Sequence, residues 1–199
     1  MANDKKGYSS SLRRSALAAI TIFLLLAGVT ALIVFLIYRP QRPQFSVVGA
    51  AVYELNATSP PVISTTMQFT LLIRNPSPRV SIYYDRLSAF VSYRKQAITL
   101  PASLPFLFQE RRTTVELSPV LGGAAVPVAA DVGNGLAVDE AYGVVGLSVV
   151  VMGRLRYKAG VIRTGHYGFY ARCNMLVGLK KGFDGQVPLL ASPPCKVDV

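Results

Sequence analysis

Few residues in this chain could do covalent chemistry. It holds one histidine, His166, and two cysteines, Cys173 and Cys195, and it lacks tryptophan. A hydrolase triad needs a nucleophile, a base and an orienting acid. His166 falls opposite in parity to Tyr167, Phe169, Ala171 and Cys173, which makes it a polar strand residue rather than a base. The cysteines are 22 positions apart and His166 has no partner of its kind, so no metal-ligand spacing is present. Gly133-Asn134-Gly135 is a fragment of a dinucleotide fingerprint without its third glycine, and it reads as a turn. Asp139 and Glu140 are adjacent, so they would point apart on a regular element and do not form the acid-x-acid pair that holds a divalent ion on a nucleotide sugar. The expectation is a non-enzyme with no catalytic, cofactor-binding or metal residues.

Three other groupings invite a role. Cys173 and Cys195 can form a bridge tying the tail to a core strand, or stay as a buried and an exposed thiol. Asn56-Ala57-Thr58 is a glycosylation sequon, whereas Asn75-Pro76-Ser77 is excluded by its proline. In "RNPSPRVSIYYDRL", Tyr83 and Asp85 could hold a ligand. The prolines offer a plainer reading, because Pro76 and Pro78 fix φ and lack a donor, so the stretch is a crossover between strands.

Positioning falls to two kinds of element. Residues 16–38, "ALAAITIFLLLAGVTALIVFLIY", run 23 residues without charge, enough at 1.5 Å per residue to cross a hydrocarbon layer of about 30 Å. A cleaved signal peptide would have a shorter apolar run and small residues at its end, whereas this one meets Tyr38-Arg39-Pro40. The chain divides into a basic tail (1–15), a transmembrane helix (16–38), a Pro/Arg linker (39–44) and a domain (45–199). Lys5, Lys6, Arg13 and Arg14 precede the span and Arg39 and Arg42 follow it, which favours a cytosolic N-terminus and an extracytosolic domain.

Beyond Pro43 the pattern alternates by twos. Met67, Phe69, Leu71 and Ile73 share one parity; so do Leu147, Val149, Val151, Leu155 and Tyr157. Further strands are expected at 45–55, 80–85, 89–93, 112–117 and 165–176. About seven short strands predict a mainly β antiparallel sandwich. Val128, Val132 and Leu136 recur at helical spacing and predict one short or irregular helix. After residue 42 the chain carries 15 Lys and Arg against 9 Asp and Glu, scattered rather than run together. That pattern disfavours nucleic acid and suits anionic lipid heads or acidic wall polysaccharide.

Four stretches carry a family resemblance. "YRPQRPQF" contains Arg39, Pro40, Pro43 and Phe45. "RNPSPRVSIYYD" contains Asn75, Pro76, Ile82, Tyr83, Tyr84 and Asp85. "GRLRYKAG" contains Gly153, Arg154, Arg156, Lys158 and Gly160, and the last stretch pairs Cys173 with the terminal "CKVDV". In this order behind an N-terminal anchor, they resemble the plant harpin-induced and non-race-specific-disease-resistance-like proteins. Ser77 stands where the family's turn has a second Asn. The resemblance implies a late-embryogenesis-abundant group 2 domain, a fibronectin-III-like sandwich with one short helix and no catalytic residues. It also implies a plasma-membrane protein of pathogen response or the hypersensitive reaction. The alternatives are a water-deficit protective role and residence in endoplasmic reticulum or plasmodesmata. Expected partners are the lipid bilayer and a protein or cell-wall component, with homo- or hetero-oligomers open and no nucleic acid. The ending "PPCKVDV" is too short and polar for a lipid-anchor signal.

Overall fold

The computed structural model describes residues 4–38, 41–59, 62–179 and 184–199, without the side chains of 4–15, 37, 38, 57–59 and 124. Arg39, Pro40, Lys180 and Lys181 lie outside the described residues. The chain separates into two compact units, Met1–Arg39 and Pro40–Val199.

The first unit is α1 (Asp4–Tyr38). Its stretch Ala16–Leu36, with a mean hydropathy of 2.8, is long and apolar enough to cross a membrane. Every side chain in that stretch is exposed. Its two hydroxyls are satisfied within the helix: Thr21 donates to the Leu17 carbonyl at 2.8 Å and Thr30 to that of Leu26 at 2.7 Å. The helix also runs back through most of the basic tail, for which the sequence carried no structural expectation. No proline interrupts that tail, and extending a formed helix adds one hydrogen bond per residue fixed.

The second unit opens with β1 (Gln44–Ser59), β2 (Val62–Arg74) and β3 (Ser81–Tyr93). The short β4 (Gln96–Ala97), β5 (Ala102–Ser103) and β6 (Leu107–Gln109) follow, then β7 (Thr114–Leu117) and β8 (Val120–Pro127). After α2 (Ala130–Tyr142) come β9 (Val144–Ala159), β10 (Ile162–Arg163), β11 (Tyr167–Gly178), β12 (Gly185–Val187), β13 (Leu189–Ala191) and β14 (Lys196–Asp198). The smaller sheet runs β12-β1-β2-β7, with β8 also on β2. The larger runs β13-β11-β9-β3-β4, with β10 on β9, β14 on β11, and β5 and β6 on β3. The pairings in both sheets are antiparallel.

Alternation decides which side of each strand meets the core. Met67, Phe69, Leu71 and Ile73 of β2 are buried, as are Leu147, Val149, Val151, Leu155 and Tyr157 of β9. Among the described residues seven strands have four residues or more; six of them cover the stretches expected to alternate, and β8 lies outside every expected strand. The other seven have two or three residues, too few to show a period in sequence. The stretches 80–85 and 89–93, expected as separate strands, are one strand, β3. It is bent by a bulge in which Arg86 and Leu87 oppose the single residue Gly153.

The expected helix is present, and its position corrects one reading. Gly133-Asn134-Gly135 is not a turn but lies inside α2. Packing outweighs the low helix propensity of glycine, because Val132 and Leu136 are buried in the core. At Gly135 a Cβ would stand 2.5 Å from Arg94 Nη1, so the missing side chain leaves room for that guanidinium. The helix ends at Gly143, whose φ of 80° allows its N–H to reach the carbonyls of Asp139 and Glu140.

Candidate interaction face

The proline-rich stretch between β2 and β3 is a corner held by buried hydrogen bonds. Asn75 is fully buried, and its amide nitrogen donates to the Val80 carbonyl at 2.8 Å and the Glu110 carbonyl at 3.0 Å. Its amide oxygen accepts from the Ser77 N–H at 3.0 Å, and the Ser77 hydroxyl accepts from the Val80 N–H at 3.2 Å. These are the local side-chain bonds that let Asn and Ser make turns. Gln109, also fully buried, continues the network: it donates to the carbonyls of Ile73 at 2.6 Å and Thr113 at 2.9 Å and accepts from the Tyr84 hydroxyl at 3.2 Å. Burial drives the Tyr84 pKa far above the ordinary tyrosine value. Nothing in the sequence pattern singles out Gln109, since a polar residue in a short strand normally reads as surface.

Phe45 gathers the motif stretches around it. Its ring meets Tyr84 edge-on at 6.4 Å and stacks on Phe169 at 5.8 Å, while Tyr84 and Phe169 meet at 5.7 Å. Cys173 and Cys195 are joined in a disulfide, and the Cys195 N–H donates to the Phe45 carbonyl at 3.0 Å. Pro43, buried, and Arg42 bring the chain into the domain beside Cys195 and Val197. Arg42 also lines a small cavity of about 300 Å³ with Tyr157, Thr164 and Tyr167.

The outward side of the larger sheet is chemically different. Tyr83 lies between Phe108 of β6 and Arg156 of β9, its register partners on either side. Its ring lies 4.4 Å from that of Phe108 and 6.1 Å from that of Phe106. Guanidinium carbons of Arg156 and Arg163 stand 5.9 and 5.8 Å from the Tyr83 centroid, within cation–π range. Arg156 Nη2 pairs with Asp85 Oδ2 at 3.1 Å, and His166 Nε2 is 3.6 Å from the same oxygen. The Arg156 Nε is buried without a hydrogen-bond partner.

Beside this cluster an open groove of about 580 Å³ is lined by Arg86, Ser88, Met152, Arg154 and Tyr170. Asp198 stands in the same lining. Lys158 pairs with Arg163 across the β9–β10 ladder. The fold thus collects Arg86, Arg154, Arg156, Lys158 and Arg163 around the half-buried Tyr83 and the exposed Phe106 and Phe108, although these cations are spread over 78 positions of sequence. Asp85 and Asp198 are the acids placed among them. Such a surface can hold an anionic, partly apolar partner through charge and ring stacking. Among the described residues no three of His, Cys, Asp and Glu stand together to hold a metal ion.

This chain is similar to NDR1/HIN1-like protein 1 of Arabidopsis thaliana, 33% identical over 171 residues, which are 85% of this chain and 82% of the relative. It is 36% identical to NDR1/HIN1-like protein 26 of the same plant over 162 residues, 80% of this chain and 75% of the relative. The chain belongs to the NDR1/HIN1-like family. This is the plant defence-related family to which the four stretches pointed. No protein-family model matches the chain.

In this NDR1/HIN1-like chain the family-like residues divide by environment. Pro43, Phe45, Asn75, Ile82 and Tyr84 are buried, and Asn75 holds the corner. Pro76 is half-buried within that turn. Gly153 sits under the β3 bulge, where a Cβ would lie 3.0 Å from the Arg86 carbonyl oxygen. Gly160 has φ +61° in the two-residue turn between β9 and β10. Tyr83, Asp85, Arg154, Arg156 and Lys158 face outward. Asn56 is exposed on β1, paired in register with Ser64 of β2. Asp139, set apart from His166 in sequence, lies in α2 and accepts a 2.6 Å hydrogen bond from the Tyr93 hydroxyl. Phe106, Phe108 and Arg163 complete the outward cluster and were not legible in the sequence, because short strands and a hairpin bring them to Tyr83.

Proposed function

We propose that this protein is a non-enzymatic, single-pass membrane protein of plant pathogen defence, including the hypersensitive response, that acts by contact rather than turnover. In this reading α1 crosses the plasma membrane with its N-terminus in the cytosol. The domain from residue 45 lies outside, where Asn56 carries glycan. Membership of the NDR1/HIN1-like family supports the defence role, and the exposed apolar stretch Ala16–Leu36 supports the anchor. One observation carries the mode of action: five cations and three aromatic rings share the outward face of the larger sheet. That combination suits an acidic protein surface or an acidic wall polysaccharide. Confinement to a thin layer at the membrane raises the effective concentration of such partners, so weak individual contacts suffice.

The test is crosslinking on intact plant membranes, with a photoreactive group placed at Phe108 and, as a control, at Val138 on α2. Recovery of protein or wall material from the Phe108 position alone supports the reading. Equal recovery from both positions, or none from either, contradicts it.

A further inference from the structure

The β9–β10 hairpin ends in a feature that the interaction face does not use. Val161 is 97% exposed and Ile162 is 69% exposed, at a two-residue turn where polar turn formers are the usual choice. Behind them Lys158 and Arg163 pair across the ladder, with Arg156 two residues further along β9. The tip is therefore apolar and its collar is basic, as in segments that lie at a membrane surface.

Its place in the chain matters equally. Thr164, just past the hairpin, exchanges bonds with the Tyr157 backbone at 2.9 and 3.0 Å. Tyr157 and Thr164 line the same small cavity as Arg42. The chain thus enters the domain at the end that carries the hairpin. Arg42 is four residues beyond Tyr38, the last residue of α1, and four extended residues reach at most about 14 Å.

We propose that the β9–β10 hairpin is a second membrane contact, in which Val161 and Ile162 enter the interfacial layer of the bilayer crossed by α1 while Lys158 and Arg163 meet anionic lipid headgroups. This rests on α1 being the anchor but not on which side the domain faces. The tether makes the contact intramolecular, so a tip of two apolar residues suffices where it would not hold a free protein. The contact would fix the domain's tilt, take the Lys158–Arg163 end of the outward face, and leave the groove lined by Arg86 and Arg154 free.

The experiment uses the full chain reconstituted in phosphatidylcholine vesicles with or without phosphatidylglycerol. An environment-sensitive fluorophore is attached at Val161→Cys or, as a control, at Val138→Cys, with the native cysteines left bridged. The expected result is quenching of the Val161 label by lipids carrying a shallow nitroxide, about twofold or more, stronger in anionic vesicles and weakened by salt. The Val138 label should be unaffected. An unquenched Val161 label in protein that resists carbonate extraction overturns the hairpin contact and leaves the anchor standing. Release of the protein by carbonate overturns both. Protection of the Val161 label that follows protein density rather than lipid composition also overturns the proposal, because a second copy would then be covering the tip.

Discussion

The backbone N–H of Cys195 donates to the carbonyl of Phe45 at 3.0 Å, so the residue that begins the domain's core is fastened to one half of the disulfide near the chain's end. The other half, Cys173, lies in β11, a central strand of the larger sheet. Replacing Cys195 with Ala releases this end of the chain. The loop-closure model assigns the bridge about 3 kcal/mol. Urea unfolding of the C195A variant should show a loss of that order, and reduction of the wild type should reproduce it.

Asn75 satisfies three backbone groups from a fully buried position. Asn75→Ala leaves two carbonyls and one N–H without this partner, which should cost about 2–4 kcal/mol. Ser77→Ala loses a single bond to the Val80 N–H and should cost about 1 kcal/mol. Chemical denaturation of both variants checks the order.

Gly153 and Gly165 provide an internal contrast. A Cβ at Gly153 would lie 3.0 Å from the Arg86 carbonyl oxygen and 3.2 Å from that of Asp85, both backbone atoms, whereas nothing lies within 4 Å of one at Gly165. Gly153→Ala should destabilise by about 1–3 kcal/mol through overpacking at the bulge. Gly165→Ala should be neutral or slightly stabilising. Thermal melts of the pair distinguish them.

Burial, followed by the hydrogen bond to Asp139, holds the Tyr93 hydroxyl at about 12, above the ordinary 10.0. The folded protein therefore keeps this proton when the unfolded chain has released it. The resulting stability is complete below pH 10 and is lost as pH rises from there through about 12. Burial raises Tyr84 and Tyr157 in the same direction. Accordingly, the stability advantage of wild type over Tyr93→Phe should shrink from pH 10.0 to about 12, as measured by urea unfolding at each pH.

Arg86 and Arg154 line the open groove beside Tyr83. Reversing both, as R86E with R154E, should weaken binding of the full chain to immobilised polygalacturonate about tenfold or more, with a reduced dependence on salt. The same change should leave its retention on plain agarose unaltered. Undiminished binding to polygalacturonate would remove the face from the function.

Long-range order was legible in the sequence where a period is long enough to see. The parity of Met67 to Ile73 and of Leu147 to Tyr157 matches burial in β2 and β9, and the change from uniform apolarity to alternation separates α1 from the domain. The prolines after Arg74 likewise mark the corner. The rest depends on partners distant in sequence. Bases that look scattered become one surface only when β3, β9 and β10 are in register, and Phe108 reaches Tyr83 through a strand of three residues that Phe106 precedes. The α2 glycines looked like a turn because the side chain that fills the space beside Gly135 belongs to Arg94, 41 positions earlier.

Anchoring and sidedness are tested together by protease and glycosidase treatment of sealed vesicles, after carbonate extraction has shown retention in the membrane. The expected outcome is a carbonate-resistant protein whose residues beyond Arg42 are shielded from added protease and whose mass falls on deglycosylation, a shift abolished by Asn56→Gln. Release by carbonate, or digestion of the β-sandwich from the cytosolic side, would contradict a membrane-held domain that works by touch outside the cell.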